Sequence, residues 1–429
     1  MNTHRFLFYL LLVLLPTQLT KYFFPEFALV NGIRVDYLAP VIYLTDLIII
    51  AIIVFWLIEY VAAASYAAKN KARKVRAATL ILFGTTIVIA INIFFAINPT
   101  IAFLKWLRII ETGFLVFYIL KAKPNLRFTI YCLLFAGFYS CILAWIQFIY
   151  QSSIGGILWW IGERTFTVTT SGIARTIVNN QLFLRPYATF PHPNVLAGFL
   201  TCLIPFIFYL KNLNKITQLL FIPTLILFLA TLVITFSQSA WIIALITTLI
   251  FIVKEKHIRL TTPAVSFGLV IFTLILSFIS YQFVEKESIA RRIAVTNNAF
   301  SIIQENPLFG VGLNNFIIAN QQNIQVNSYQ DLQPVHSIYL LFAAEMGIVG
   351  ILLFVLVLFY LYKKTRIGKD SFYIIWPLAT LLLLGLFDHY PLTIHQTLLF
   401  ISILTGFIYS TSLSVIHLHK GKHHDKRSK

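Results

Sequence analysis

Apolar residues in this chain gather into blocks of about 18–25, each long enough to cross the hydrocarbon core of a bilayer as a helix. About twelve such blocks at roughly 20 residues each take about 240 residues, a little over half of the 429. That share agrees with the 59% of residues that are hydrophobic. Only 11% are charged, where a soluble domain carries about a quarter. Disorder, a coiled coil and a secreted disulfide scaffold are excluded by this pattern. The expected fold is all-α, a polytopic membrane protein of about twelve spans. They fall near 5–20, 38–59, 77–97, 101–120, 128–150, 193–210, 216–236, 239–253, 264–284, 337–362, 372–390 and 395–413. Residues 6–15 have the look of a signal-peptide core, but no small-x-small cleavage site follows, so they are read as the first span.

A formal charge of +18 would suggest nucleic acid in a soluble protein, but the positions of the basic residues argue against such a partner. They collect in every second loop. With the N-terminus inside, 23 Lys and Arg lie in cytoplasmic segments and eight in exterior ones, the split that cytoplasmic retention of basic residues produces. Both termini are then cytoplasmic, residues 414–429 form a basic tail, and the whole chain reads as a single integral membrane domain. The two long loops, 151–192 and 285–336, face the exterior, and loops of this length commonly carry function. Within the second, Ile289, Ile293, Phe300 and Ile303 keep a helical stripe, which predicts an amphipathic helix on the membrane surface or on the bundle. Cys132, Cys141 and Cys202 all lie in apolar blocks and indicate neither disulfides nor a metal.

Chemistry, on this topology, belongs to the exterior side. Four of the ten histidines fall there: His192, His336, His389 and His395. His336 sits where the second long loop meets a span, so it can take a proton near neutral pH; capping a helix is the plainer role. Beyond it, Gly347 and Gly350 permit close approach of a neighbouring helix, and Glu345 lies inside the span, where it must be protonated or paired. Arg185 precedes Pro191, His192, Pro193 and Asn194, and Asn194 reads as the N-cap of the sixth span. Arginine's planar fork suits phosphate oxygens, and Arg291 and Arg292 open the amphipathic stretch. Headgroup binding is the alternative use of all three.

Other signals are weaker. Gly310-Val311-Gly312 contains a Gly-x-Gly without the strand or the Lys and Ser of a nucleotide site, and most such pairs are turns. Asp388-His389 ends the eleventh span, where the Asp orients a base or caps a helix. Lys105, Arg108 and Glu111 share one helix face. Arg108 and Glu111 are expected to pair, leaving Lys105 for an anionic ligand or headgroup. No exterior cluster has metal-ligand spacing, so no metal or cofactor is expected.

Arg185 with Pro193-Asn194, then Asn306-Pro307-Leu308-Phe309-Gly310-Val311-Gly312, then His336-Ser337 with Gly347 and Gly350, resemble the O-antigen ligase and polymerase family. The resemblance is strongest over about 180–350, and Asp388-His389-Tyr390 is similar to a further motif in many members. It implies a fold of the kind seen in multi-span glycosyltransferases that use lipid-linked sugars, in the cytoplasmic (inner) membrane with the active site outside. The donor would be a glycan on undecaprenyl diphosphate, transferred with inversion to an acceptor hydroxyl on a glycan, lipid or protein, without cofactor. By the same resemblance His336 would be the general base, and Arg185 and Arg292 would neutralise the diphosphate, with Arg291 the competitor for the second place. His192, Asn194, Gly310, Gly312, Glu345, Asp388, His389, Lys105 and Arg108 would support them. Many members carry Ser-Arg at the start of the eighth span, where this chain has Ser237-Gln238-Ser239. A ligase is the leading expectation, with a repeat-unit polymerase as alternative and a transporter or flippase behind both.

Overall fold

A computed structural model describes residues 2–64, 84–178, 181–256, 286–321, 331–364 and 371–425. The apolar blocks fold mainly as helices where they are described; the expected span at 264–284 lies outside these residues. The first half holds α1 Thr3–Val13, α2 Leu44–Ala64, α3 Gly84–Phe94, α4 Pro99–Ala122 and α5 Leu126–Tyr150. Next come α6 Pro193–Lys211, α7 Lys215–Ile234, α8 Gln238–Lys256, α9 Lys286–Glu305 and the short α10 Phe316–Gln321. The chain closes with α11 Ile338–Lys364, α12 Ser371–Leu384, the single turn α13 Tyr390–Thr393 and α14 His395–Asp425. Among the described residues, α5, α6, α7 and α11 are long and apolar enough to cross a membrane by length and composition.

The described residues are mostly helical, as an all-α fold requires, with little sheet. Three short antiparallel pairs are present: β1 (Thr20–Tyr22) with β4 (Val41–Tyr43), β2 (Leu29–Val30) with β3 (Ile33–Arg34), and β5 (Arg175–Val178) with β6 (Gln181–Leu184). α1 therefore stops at Val13 and α2 starts at Leu44, inside the expected blocks, because strands this short have no periodicity separable from an apolar run. α12 ends at Leu384, so Asp388 and His389 lie beyond the helix. α14 continues past the expected boundary to Asp425.

α6 is apolar on every side, which suits a helix wrapped by others. Nearly all its residues are buried, and it packs against α5, α7, α8 and α12. α7 turns Ile216, Leu219, Ile222 and Ile226 outward, an apolar surface of the kind a bilayer covers. α9 packs on α11 through Val295, Ala299 and Ile302. The expected stripe divides: Ile289, Ile293 and Phe300 are exposed, and only Ile303 joins the inner face.

α11 is broken at Gly347, whose φ of 61° and ψ of −167° are not helical. Such a break orphans backbone groups on both sides. The carbonyls of Ala344 and Glu345 accept from Val311 and Gly312 at 2.9 and 3.1 Å. Ile348 and Val349 donate to the carbonyls of Pro307 and Leu308 at 2.9 and 3.2 Å. A side chain at Gly347 would strike the Leu308 carbonyl at 2.4 Å. The close approach at Gly347 is thus made by a loop, where a neighbouring helix was expected.

Candidate functional site

A cavity of about 470 Å³ lies where α6 and α11 begin and the chain leaves α12; Arg185, His192, Asn194, Arg291, Arg292, His336, Asp388 and His389 all line it. They come from four separate stretches of sequence. Arg185 follows β6, and its Nε donates to the Thr235 carbonyl at the end of α7 at 2.8 Å. Its Nη2 donates to Asn194 Oδ1 at 2.6 Å. Asn194 Nδ2 in turn donates to Asp388 Oδ2 at 2.9 Å, and the other oxygen of Asp388 accepts from the His389 backbone at 2.8 Å. Asn194 is therefore not the cap of α6. His192 is, its Nδ1 accepting from the Asn194 backbone at 3.1 Å, with Pro193 in the first turn. That frees the Asn194 amide to join a cation to a carboxylate.

His336 is set by the start of α11, where the Ile338 backbone donates to the Gly385 carbonyl at 2.8 Å. Its ring meets that of His389 edge to face, centroids 5.4 Å apart, and its Nδ1 is buried without a hydrogen-bond partner. Burial pushes the imidazole down to about 3, against the pull of Asp388, with His389 and Arg292 adding to the fall. It is thus neutral at physiological pH, where an interfacial histidine would titrate near that pH. His192 falls to about 3 for the same first reason, with Arg185 assisting. His389 is lowered by burial although Asp388 opposes this, and its Nδ1 lies 2.8 Å from Thr393 Oγ1. Burial works to raise Asp388, but His389, His336 and the Asn194 amide outweigh it and hold the carboxyl below its usual range. Arg185 drops to about 10 through burial and stays a cation. The lining, with Arg175 at its edge, thus combines four guanidinium groups, one carboxylate and neutral imidazoles. It can bind an anion and accept a proton.

Residues 223–355 match the O-antigen ligase family model. This segment, just under a third of the chain, is what is similar to that family. No curated protein matches it. That match and the apolar helices support a membrane location and, broadly, a function of the O-antigen ligase or polymerase kind.

The O-antigen ligase segment contains Arg291, Arg292 and His336, while Arg185, His192, Asn194, Asp388 and His389 reach the same cavity from outside it. Gly310 and Gly312 do not line that cavity. They have φ of 68° and 92° and press on the backbone of Glu345 and on Ala96, so they serve the clasp on α11. Glu345 is buried beneath the clasp, with Oε1 accepting from the Phe316 backbone at 3.3 Å. Lys105, Arg108 and His395 line a second cavity. The turn that lacks the family's Ser-Arg begins α8 at Gln238, and Arg185 reaches it through Thr235. Tyr37, Arg175 and Gln333 also line the site and escaped the sequence reading. Arg175 was visible as an exterior cation; Tyr37 and Gln333 carry no local signature.

Proposed function

We propose that the protein is a glycosyltransferase that moves a glycan from undecaprenyl diphosphate to an acceptor hydroxyl on the outer face of the cytoplasmic membrane. One observation carries the reading: Arg185, Arg291 and Arg292 converge with His336 on a single cavity. The orientation is supported by charge. His192 and His336 open α6 and α11, whereas Lys211 and Lys364 close the same helices at their far ends.

In the reaction, the acceptor oxygen attacks the anomeric carbon and its proton passes to the neutral His336 imidazole. The bond from that carbon to the diphosphate oxygen breaks, with inversion. The electron pair leaves on the diphosphate, where the guanidinium forks of Arg185 and Arg292 offset the charge. Asp388 and Asn194 hold Arg185 in place and keep a negative charge beside the imidazolium as it forms. Twelve spans, cytoplasmic termini and a single membrane domain with exterior loops at 151–192 and 285–336 complete the proposed arrangement. The test is transfer from a purified lipid-linked donor by the full chain, wild type beside His336→Ala and Arg185→Ala. Transfer retained by both variants would sink the reading. In cells lacking the protein, long chains accumulating on the carrier indicate a ligase, and single repeat units a polymerase.

A further inference from the structure

Apolar side chains crowd the surface where α5 ends. Ile149 and Tyr150 close that helix with exposed side chains, and Ile154 follows them. In the 3-10 turn Gly156–Ile161, Ile157, Trp159 and Trp160 are 80%, 49% and 67% exposed. From Phe148 to Gly162 the sequence holds no charged residue. An apolar surface of this extent marks an interaction site.

The turn is firmly held. Leu158 and Ile161 pack inward on the main core, and a side chain at Gly162 would strike the Gln18 backbone. Glu163 folds back, its carboxylate accepting from the Ile154 and Gly155 backbones at 2.9 and 2.8 Å. It also accepts from Gln147 Nε2 at 2.8 Å. The same Gln147 amide grips a second segment: Nε2 donates to the Ala188 carbonyl at 2.9 Å, and Oε1 accepts from the Tyr187 and Ala188 backbones at 3.0 and 2.8 Å. The turn is thus clamped to the stretch that runs from Arg185 to Asn194.

Two observations say what covers the patch. It continues the outward face of α5, where Tyr131, Phe135, Phe138, Ile142 and Ile149 are exposed in one stripe at helical spacing. α5 is long and apolar enough to cross a membrane, so that stripe faces acyl chains. The second observation is in the indoles. Trp106, Trp145, Trp241 and Trp376 each donate their ring N–H to a partner within the protein. Trp159 and Trp160 meet each other edge to face and donate to no group among the described residues. An apolar ring with a spare donor suits the zone between acyl chains and water, where tryptophan is enriched. A sugar-binding platform would set polar side chains beside the rings, but these have isoleucine.

We infer that residues 149–160 anchor the protein in the phospholipid headgroup zone of the leaflet where α5 ends. Ile157, Trp159 and Trp160 enter the upper acyl chains, and the indole N–H groups donate to ester or phosphate oxygens of the lipid. Through Glu163 and Gln147 this anchor sets the height of Arg185 and Asn194 above the acyl chains. The start of the loop 151–192 then lies in the membrane interface instead of in water. The inference requires α5 to span the bilayer and is independent of the reaction proposed above.

The test is a measurement of depth. Cys132, Cys141 and Cys202 are buried, so a thiol-reactive nitroxide on Ile157→Cys reports from one place. With the full chain in phospholipid nanodiscs, that label should collide more with oxygen, which concentrates among acyl chains, than with a water-soluble nickel chelate. The reverse order would overturn the inference. Spin–spin broadening between two labels would show that a second copy of the chain covers the patch, and would overturn it equally. A label on Ser171→Cys, an exposed position beside Gly172 at the cavity's rim, reads the height of the site. Trp159→Gln with Trp160→Gln should shift this second label toward water and raise its collisions with nickel. Trp159→Phe with Trp160→Phe, which keeps the apolar bulk, should shift it less. An unmoved Ser171 label in the glutamine pair would sink the control of height. The Ile157 label decides the anchor whether or not that pair folds.

Discussion

Arg108, in the cavity between α2 and α4, meets two carboxylates, at 2.6 and 2.7 Å, whereas Arg185, Arg291 and Arg292 line a cavity whose acid is Asp388. Asp388 is itself held by the Asn194 amide and the His389 backbone. Arg108 is balanced within the fold by two carboxylates, whereas the half-buried Arg185 is held by a neutral carbonyl and a neutral amide. A half-buried cation held by neutral groups is favoured by an anion, so Arg185 suits a ligand that brings negative charge. On this contrast Arg108 serves the architecture and Arg185 the proposed chemistry.

The sharpest way to break that contrast is to remove the base. His336→Ala should lower transfer by about 100- to 10,000-fold in a purified assay, with donor binding unchanged. A comparable loss from His395→Ala, whose ring pairs with Asp46 in the other cavity, would erase the distinction between the regions. Next, Arg185→Ala and Arg292→Ala should each cost about 100- to 1,000-fold in turnover, the scale seen when one stabilising donor is taken from a transition state. Arg185→Lys should restore little, because an ammonium cannot reach both the Thr235 carbonyl and Asn194 as the fork does. Arg108→Ala should act on stability, by about 3–5 kcal/mol, since it leaves Glu111 without its cation and Asp46 with only His395 and the Tyr43 backbone. Thermal unfolding in detergent measures it, and turnover per folded molecule should hold.

The smallest expected effect is in pH. A histidine depressed to about 3 is in its base form above that value and loses it only as pH falls through it. Donor kcat/KM, which reports the free protein, should therefore change by no more than about twofold between pH 6 and 8 on account of His336. An acid limb centred near 6.5 and abolished by His336→Ala would show that the imidazole is hydrated and unshifted.

The site's residue types were legible because arginine and histidine are scarce outside the basic loops, so Arg185, Arg291, Arg292, His336 and His389 stood out. Their meeting in one cavity was not legible from spacing, since nothing local links residue 185 to residue 388. Asn194 shows why: beside two prolines it reads as a cap, but a histidine two residues earlier can accept the same backbone N–H, and the amide is taken by a tertiary network. β1 and β4 were hidden for the opposite reason. Their residues look like the margins of apolar spans, and only pairing across the fold separates them. Tyr37 enters the site because that pairing folds residues 20–43 back over α13 and α14, and no residue type announces it.

Residues 307–312 complete the backbone hydrogen bonding of α11 at its break, so lifting them would strip four groups at once. α9 leads into that strap and His336 leads into α11, which yokes the two. The helix that carries Arg291 and Arg292 is thereby tied, through main-chain hydrogen bonds, to the helix that His336 opens. Backbone geometry then sets the spacing between those guanidinium groups and the imidazole.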